Sequence, residues 1–226
     1  MGEFGWPSGS SLNRDMTPLR AALNLAYKDG LVTSNFAWKN KLLPIPGADK
    51  RREIYLEQKE RERLIAAADV DIRPFLRAMT YLPLRPGAIA ALRVSDLDRR
   101  LGTLTIPQDK AGAGRKIPLP HEVLAFISDQ CRDKFPGAPI FCRGDGRPWT
   151  KDAWKKPVRV AATRAKLPTG TTCYSLRHST ITDLIQRGVD AMTVAKISGT
   201  SIKMIDQHYG HLGASHARNA LASLIG

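Results

Sequence analysis

Residues 199–212 read GTSIKMIDQHYGHL, and the fold turns on how Tyr209, set between His208 and His211, is understood. Ile202, Ile205 and Tyr209 fall at helical steps, which predicts a helix over roughly 201–209 with the tyrosine ring on its apolar face. Thr200 stands where an N-cap hydroxyl would satisfy an amide of the first turn. On this local pattern alone Tyr209 is an ordinary packed aromatic. Whether it is also a nucleophile depends on what the remaining chain brings to it.

Upstream, helical periodicity predicts helices near 121–134, 151–166, 176–187 and 192–197, and two more within 57–80 that are broken near Pro74. A short helix is expected at 87–92. The β-rich runs TLTIP (103–107) and RKIPLP (115–120) flank a Gly-rich turn and read as a hairpin with Lys110 near its tip. The expected fold class is therefore α+β, mainly α with a small antiparallel β-sheet. Residues 1–11 (MGEFGWPSGSS) lack periodicity and read as unstructured linker or appended residues. Thr17-Pro18 looks like an N-cap with proline at the first helical position, opening a short helix that Gly30 ends. The run LLPIPGADKRR (42–52) has linker composition. The chain accordingly divides into 1–11, a small segment 12–45, and a main domain 46–226.

Composition narrows the partner. The 226 residues carry 35 Lys and Arg against 21 Asp and Glu, a net charge of +14, with 42% hydrophobic residues for a core. That excess of cations argues for a polyanion, nucleic acid before a membrane surface. Neither a membrane-spanning stretch nor a signal-peptide pattern is present in the sequence. Three cysteines (Cys131, Cys142, Cys173) without CxxC or zinc-ligand spacing indicate no disulfide framework and no structural metal, and a reducing, cytoplasmic setting is expected. AGAGRK (111–116) lacks the phosphate-cradling GxxxxGK[ST] spacing. The carboxylate pairs Asp69/Asp71 and Asp96/Asp98 read as turn and cap residues rather than a two-metal site.

What remains is a spaced set suited to phosphodiesters: Arg85 in LPLRPGAIAALRVSDLD, Lys110, Arg177 in CYSLRHSTITDL, and Tyr209. Singly, each has a bland explanation as a cap, a solvated turn residue or a packed ring. In this order they resemble the catalytic domain of the tyrosine recombinase, or phage integrase, family, whose sequence of motifs is Arg, Lys, HxxR, GH or GW, then Tyr. The similarity runs from about Arg52 to the end, and Thr17 to Phe36 looks like the last helix of that family's core-binding domain, making 12–45 a remnant of it. Three departures stand out. Tyr174 occupies the histidine position of HxxR, Thr200 the GH or GW position, and Ala88 a position where an acidic residue commonly supports the active-site arginine.

The resemblance implies a site-specific recombinase that cleaves and rejoins DNA through a covalent 3′-phosphotyrosine on Tyr209, for integration or excision of a mobile element. The bond energy is kept in the ester, so no cofactor and no metal are implied. Arg85 and Arg177 would hold the nonbridging phosphate oxygens through the guanidinium fork, and Lys110 would protonate the departing 5′ hydroxyl. Tyr174 and Thr200 would touch the phosphate in place of the customary residues. His178 is expected to face the core, because adjacent side chains on a helix diverge by roughly 100 degrees, and His208 and His211 to lie behind the nucleophile. KDAWKKPVRVAATRAK (151–166) offers Lys155, Lys156 and Arg159 to the DNA backbone, with Trp149 and Trp154 as aromatic surface. The implied partners are a double-stranded DNA attachment site and further copies of the chain, a tetramer on DNA, with HARNALASLIG (216–226) docking on a neighbour or on its own domain; association with the nucleoid follows. Two other readings stay open: a DNA-binding relative whose catalysis has lapsed, and a type IB topoisomerase-like strand transferase.

Overall fold

The structure, a computed structural model, describes residues 7–48, 54–107 and 114–213. The chain separates into two units, 1–52 and 53–226, so the division falls at the end of the proline- and lysine-containing linker.

The first unit contains α1 (Gly9–Lys28) and α2 (Phe36–Lys41). Helix α1 starts at Gly9, capped by the Ser8 hydroxyl on the Ser11 amide, not at Thr17 as the Thr-Pro pair suggested. Pro18 lies inside the helix, and the Thr17 hydroxyl bonds back to the Asn13 carbonyl at 2.7 Å. That bond gives Thr17 a helical role in place of a capping one. Asn13 also ties down the following segment, donating to the Ile45 carbonyl (3.0 Å) and accepting from the Ile45 amide (2.7 Å). Trp38 Nε1 donates to Asn24 Oδ1 at 2.9 Å. Neither helix buries a residue, so polar clips rather than a core hold this unit.

The second unit follows the expected order. Helices α3 (Gln58–Ala67) and α4 (Arg73–Tyr81) are separated by residues 68–72, just before Pro74, which sits in the first turn of α4 where its missing N–H costs nothing. Then come α5 (Pro86–Ala90) and strands β1 (Leu97–Asp98), β2 (Thr103–Ile106) and β3 (Arg115–Pro118). Both strand pairs are antiparallel in the order β1-β2-β3, with Leu104 opposite Ile117 and Ile106 opposite Arg115. Strand β1 was not anticipated. Its two residues give no periodic signal, but Asp98 behaves as the turn residue expected, its Oδ1 accepting from the Arg100 and Leu101 amides. Helices α6 (His121–Gln130), α7 (Lys151–Arg164), α8 (Cys173–Gln186), α9 (Ala191–Ser198) and α10 (Ile202–Tyr209) complete the unit.

Helix α8 is the spine. Nine of its residues are buried, among them Ser175, Ser179, Thr180 and Thr182, and short hydroxyl side chains let α4 pack closely against it. Buried hydroxyls generally find a partner, and among these only the Thr182 hydroxyl does not. Thr180 donates towards the Met79 and Leu176 carbonyls (3.1 and 2.9 Å), and Ser179 accepts from the Leu56 amide at 2.8 Å while donating to Ser175. At the outer end of this spine Asp183 accepts from Arg61 (2.5 Å) and from the Tyr55 hydroxyl (2.8 Å). Burial, and then the bond to Asp183, push the Tyr55 phenol pKa above its usual range. The main core is built on Phe75, Leu76, Met79, Leu84, Ile89, Leu92, Leu104 and Leu176. A second, smaller cluster joins Ile181, Ile185, Val194, Ala195, Ile205 and Tyr209.

Trp149 and Trp154 are not aromatic surface. Both are buried, their rings 6.2 and 5.5 Å from Phe75. Trp154 recurs with Val158, Ala161 and Ala162 on the apolar stripe of α7, and that stripe outweighs the neighbouring lysines.

Arg61 is almost wholly buried against Asp183, so removing the acid strands a charge in the protein interior. Asp183→Ala is expected to destabilise the second unit by about 3 kcal/mol, lowering the melting temperature by roughly 10 °C in a calorimetric scan.

Candidate active site

Helix α9 ends at Gly199, which adopts the left-handed conformation (φ +68°). The Gly199 and Thr200 amides both return to the Ala195 carbonyl, at 2.9 and 3.1 Å. This closure leaves the last carbonyls of α9 without helical partners, at the negative end of the helix dipole. Three consecutive ones accept from three arginines. Arg115 Nε approaches the Ile197 oxygen at 3.4 Å, Arg177 Nη1 bonds the Ser198 oxygen at 3.0 Å, and Arg85 Nη1 bonds the Gly199 oxygen at 2.5 Å. Glycine at 199 is required twice over, because a Cβ there would overlap the Arg115 guanidinium as well as oppose the positive φ.

Each arginine reaches this point for a local reason. Arg85 precedes Pro86, which forces it into an extended conformation (φ −63°, ψ 143°) and aims it away from the helix it caps. Arg177 leaves the buried face of α8, and the same nitrogen that bonds Ser198 also donates to the Pro83 carbonyl at 2.6 Å. Arg115 stands on β3 two residues before buried Ile117, on the same sheet face. Burial lowers the Arg177 pKa to about 10, with Arg85 pulling the same way, Tyr209 and Tyr174 opposing, and Arg115 adding to the depression. At neutral pH Arg177 is still a cation. The folded protein thus holds three guanidiniums together at an electrostatic cost that an anion would relieve.

Tyr209 lies beside them. Its ring is buried in the small cluster with Ile205, whereas Ile202 is half exposed and does not share the packed face. The Tyr209 hydroxyl is 3.0 Å from His178 Nδ1, and the two rings are 5.2 Å apart. His178 therefore does not turn into the core as expected. The divergence between adjacent residues of α8 holds, but α9 and α10 occupy two neighbouring faces, so Arg177 meets the α9 carbonyls while His178 meets the tyrosine. His208 presents its edge to the Tyr209 ring at 6.4 Å, and His211 is exposed.

Tyr174, one turn before Arg177, is 60% exposed. Thr200 is half-buried directly after Gly199, but Ser201 is the N-cap of α10, its hydroxyl accepting from the Met204 amide at 3.2 Å. Thr200 is spent on closing α9 instead. Lys110 and the segment 216–226 lie outside the described residues. Lys155, Lys156 and Arg159 are exposed on α7, Lys155 in a solvated pair with Asp152 at 2.8 Å. Ala88 is buried in α5. Among the described residues no cluster of side chains could hold a metal ion, and no helix is long and apolar enough to cross a membrane.

Sequence reading missed Arg115 and misplaced His178. A signal existed for the first, since strand alternation puts residue 115 on the face of apolar Ile117. For His178 there was none, because its partner is fixed by the crossing of α8 and α10.

The chain is similar to tyrosine recombinase XerA of Pyrococcus furiosus, at 27% identity over 151 residues, covering 63% of this chain and 53% of XerA. It is similar to XerD of Ralstonia nicotianae at 25% identity, covering 92% of this chain and 71% of XerD. The chain thus spans about half the length of the first of these relatives. Among solved structures, the Tn1549 transposon integrase in complex with transposon right end DNA superposes with a TM-score of 0.81 at 20% identity over 97% of this chain and 81% of that one. The catalytic domain of bacteriophage HP1 integrase gives 0.57 at 22% identity, over 74% and 93%. These likenesses establish the fold. The phage integrase family model itself matches residues 54–216, nearly all of the second unit with the arginine cluster and Tyr209 inside it, and the chain belongs to the phage integrase family.

Proposed function

We propose that this protein is a site-specific DNA recombinase that breaks and rejoins strands through a 3′-phosphotyrosine on Tyr209. The observation that carries the reading is the gathering of Arg85, Arg177 and Arg115 on the α9 carbonyls beside the Tyr209 hydroxyl. A phosphodiester placed there meets guanidinium forks suited to its nonbridging oxygens, where charge grows as the tyrosine attacks. Lysine at either position 85 or 177 would offer a point charge without the fork. Lys110 is the general acid for the departing 5′ oxygen in this scheme. Tyr174 and Thr200 flank the cluster and reach the phosphate with hydroxyls, supplying hydrogen bonds but little basicity.

The substrate is a double-stranded attachment site, and the exposed cations Lys155, Lys156 and Arg159 grip its backbone. Such contacts position the duplex without reading its sequence. Residues 12–45 belong to a core-binding domain, a reading supported by helices that bury nothing and leave Leu12, Leu19, Leu25 and Phe36 exposed. Action as a tetramer on DNA fits the need to exchange two pairs of strands. The setting is cytoplasmic, at the nucleoid.

On a nicked duplex carrying its site, the wild-type chain is expected to form a covalent adduct visible on a denaturing gel, and Tyr209→Phe none. Retained binding without an adduct would favour instead a DNA-binding protein with lapsed catalysis, the reading that Tyr174, Thr200 and Ala88 make worth testing. Thr200→His should fold and keep cleavage, since a histidine there also reaches a phosphate oxygen; loss of cleavage in a folded variant would rule out phosphate contact by residue 200. Duplex affinity should fall more than about tenfold between roughly 50 and 200 mM salt, less steeply after Lys155→Ala and Lys156→Ala, as filter binding would measure.

A further inference from the structure

Attack by Tyr209 needs somewhere for its proton to go. An unperturbed phenol is about a thousandth ionised at neutral pH, and the residues at the HxxR histidine and GH or GW positions, Tyr174 and Thr200, are poor bases. Other candidates on the elements around Tyr209 are occupied or misdirected. Asp183 is held by Arg61 and Tyr55, Asp190 caps α9 through the Thr193 amide, Asp206 is exposed on α10, and His208 meets the ring by its edge.

We propose that His178 is a catalytic residue: its Nδ1, 3.0 Å from the Tyr209 hydroxyl, accepts the phenolic proton during strand cleavage and returns it on rejoining. This rests on the recombinase reading and adds to it a base at a position where sequence gave only packing. In cleavage the O–H bond of Tyr209 breaks, its proton passes to Nδ1, the oxygen lone pair forms the bond to phosphorus, and the 5′ oxygen leaves with a proton from Lys110. Rejoining runs the same transfers backwards. Nδ1 can accept only in the tautomer that carries its proton on Nε2.

The surroundings make the transfer depend on substrate. Arg177 precedes His178 on α8, and Arg85 from the start of α5, Arg115 from β3, Tyr174 and Tyr209 all act electrostatically on Arg177, so positive charge gathers beside Tyr209, while His208 and Asp206 share α10 with it. A phosphodiester entering the cluster adds negative charge there and so favours a proton on His178. The tyrosine would then be deprotonated chiefly when DNA is in place.

The test compares wild type, His178→Asn and Lys110→Ala on nicked duplexes of the sequence the chain enriches from a random pool, each made with either an ordinary 5′ oxygen or a bridging 5′ sulfur at the scissile bond. Asparagine can still hydrogen-bond near the Nδ1 position but cannot take a proton, and a sulfur leaving group needs no acid. Adduct formation by His178→Asn is expected to drop about a hundredfold or more on both substrates, with duplex affinity and melting temperature kept, while Lys110→Ala recovers on sulfur. Added imidazole should partly restore His178→Ala. The proposal is overturned if His178→Asn stays within about twofold of wild type, if sulfur rescues it, or if both His178→Asn and His178→Gln fail to fold, which would assign the ring to packing. A wild-type chain that binds but forms no adduct would instead remove the recombinase reading itself.

Discussion

The last turn of α9 ends in carbonyls that no further helix can satisfy, and the organisation of the second unit follows from how they are satisfied. Ile197, Ser198 and Gly199 accept from guanidiniums that arrive from a strand, from the central helix and from the loop before α5. A helix C-terminus, the negative end of the helix dipole, favours the approach of cations. Carbonyl dipoles hold the side chains in position, and burial, with Arg85 and Arg115 adding to it, lowers the pKa of Arg177.

The arrangement needs a rigid backing. Helix α8 provides it, with buried serines and threonines that allow α4 to approach, Ser179 and Thr180 being themselves bonded to backbone carbonyls and amides. Asp183, Arg61 and Tyr55 fasten its outer end. Because α8 is fixed on one side by α4, its other faces are free to carry Arg177 towards α9 and His178 towards α10. The smaller apolar cluster then seats Tyr209 by burying its ring while its oxygen meets the imidazole. The packed aromatic and the nucleophile are thus the same residue seen from two ends, the ring serving stability and the hydroxyl the chemistry.

The fold class and the helices of the second unit were legible because long apolar periodicities, the Pro74 break and the Gly-rich hairpin are local signals. Local rules failed where two elements competed for one residue. Thr17-Pro18 reads as a helix start, but Ser8 caps the helix earlier and Thr17 is absorbed into it. Trp149 and Trp154 stand among lysines, yet Phe75 on another helix decides their burial. Thr200 reads as a cap, and the cap is Ser201, since the left-handed Gly199 makes Thr200 part of the preceding helix's end.

For the candidate site the division is similar. By itself the sequence determined which residue types are present and in what order: Arg85, Lys110, Arg177 and Tyr209, with tyrosine and threonine where an imidazole and an imidazole or indole were expected. It carried the family, because order and spacing survive in a linear string. Only the tertiary structure decided that Arg115 joins the other two arginines and that His178 meets the Tyr209 hydroxyl. Both depend on the crossing of elements far apart in the chain, 82 residues from Arg115 to Ile197 and 31 from His178 to Tyr209; strand alternation gives the face on which Arg115 stands, but no local periodicity records which distant element it meets.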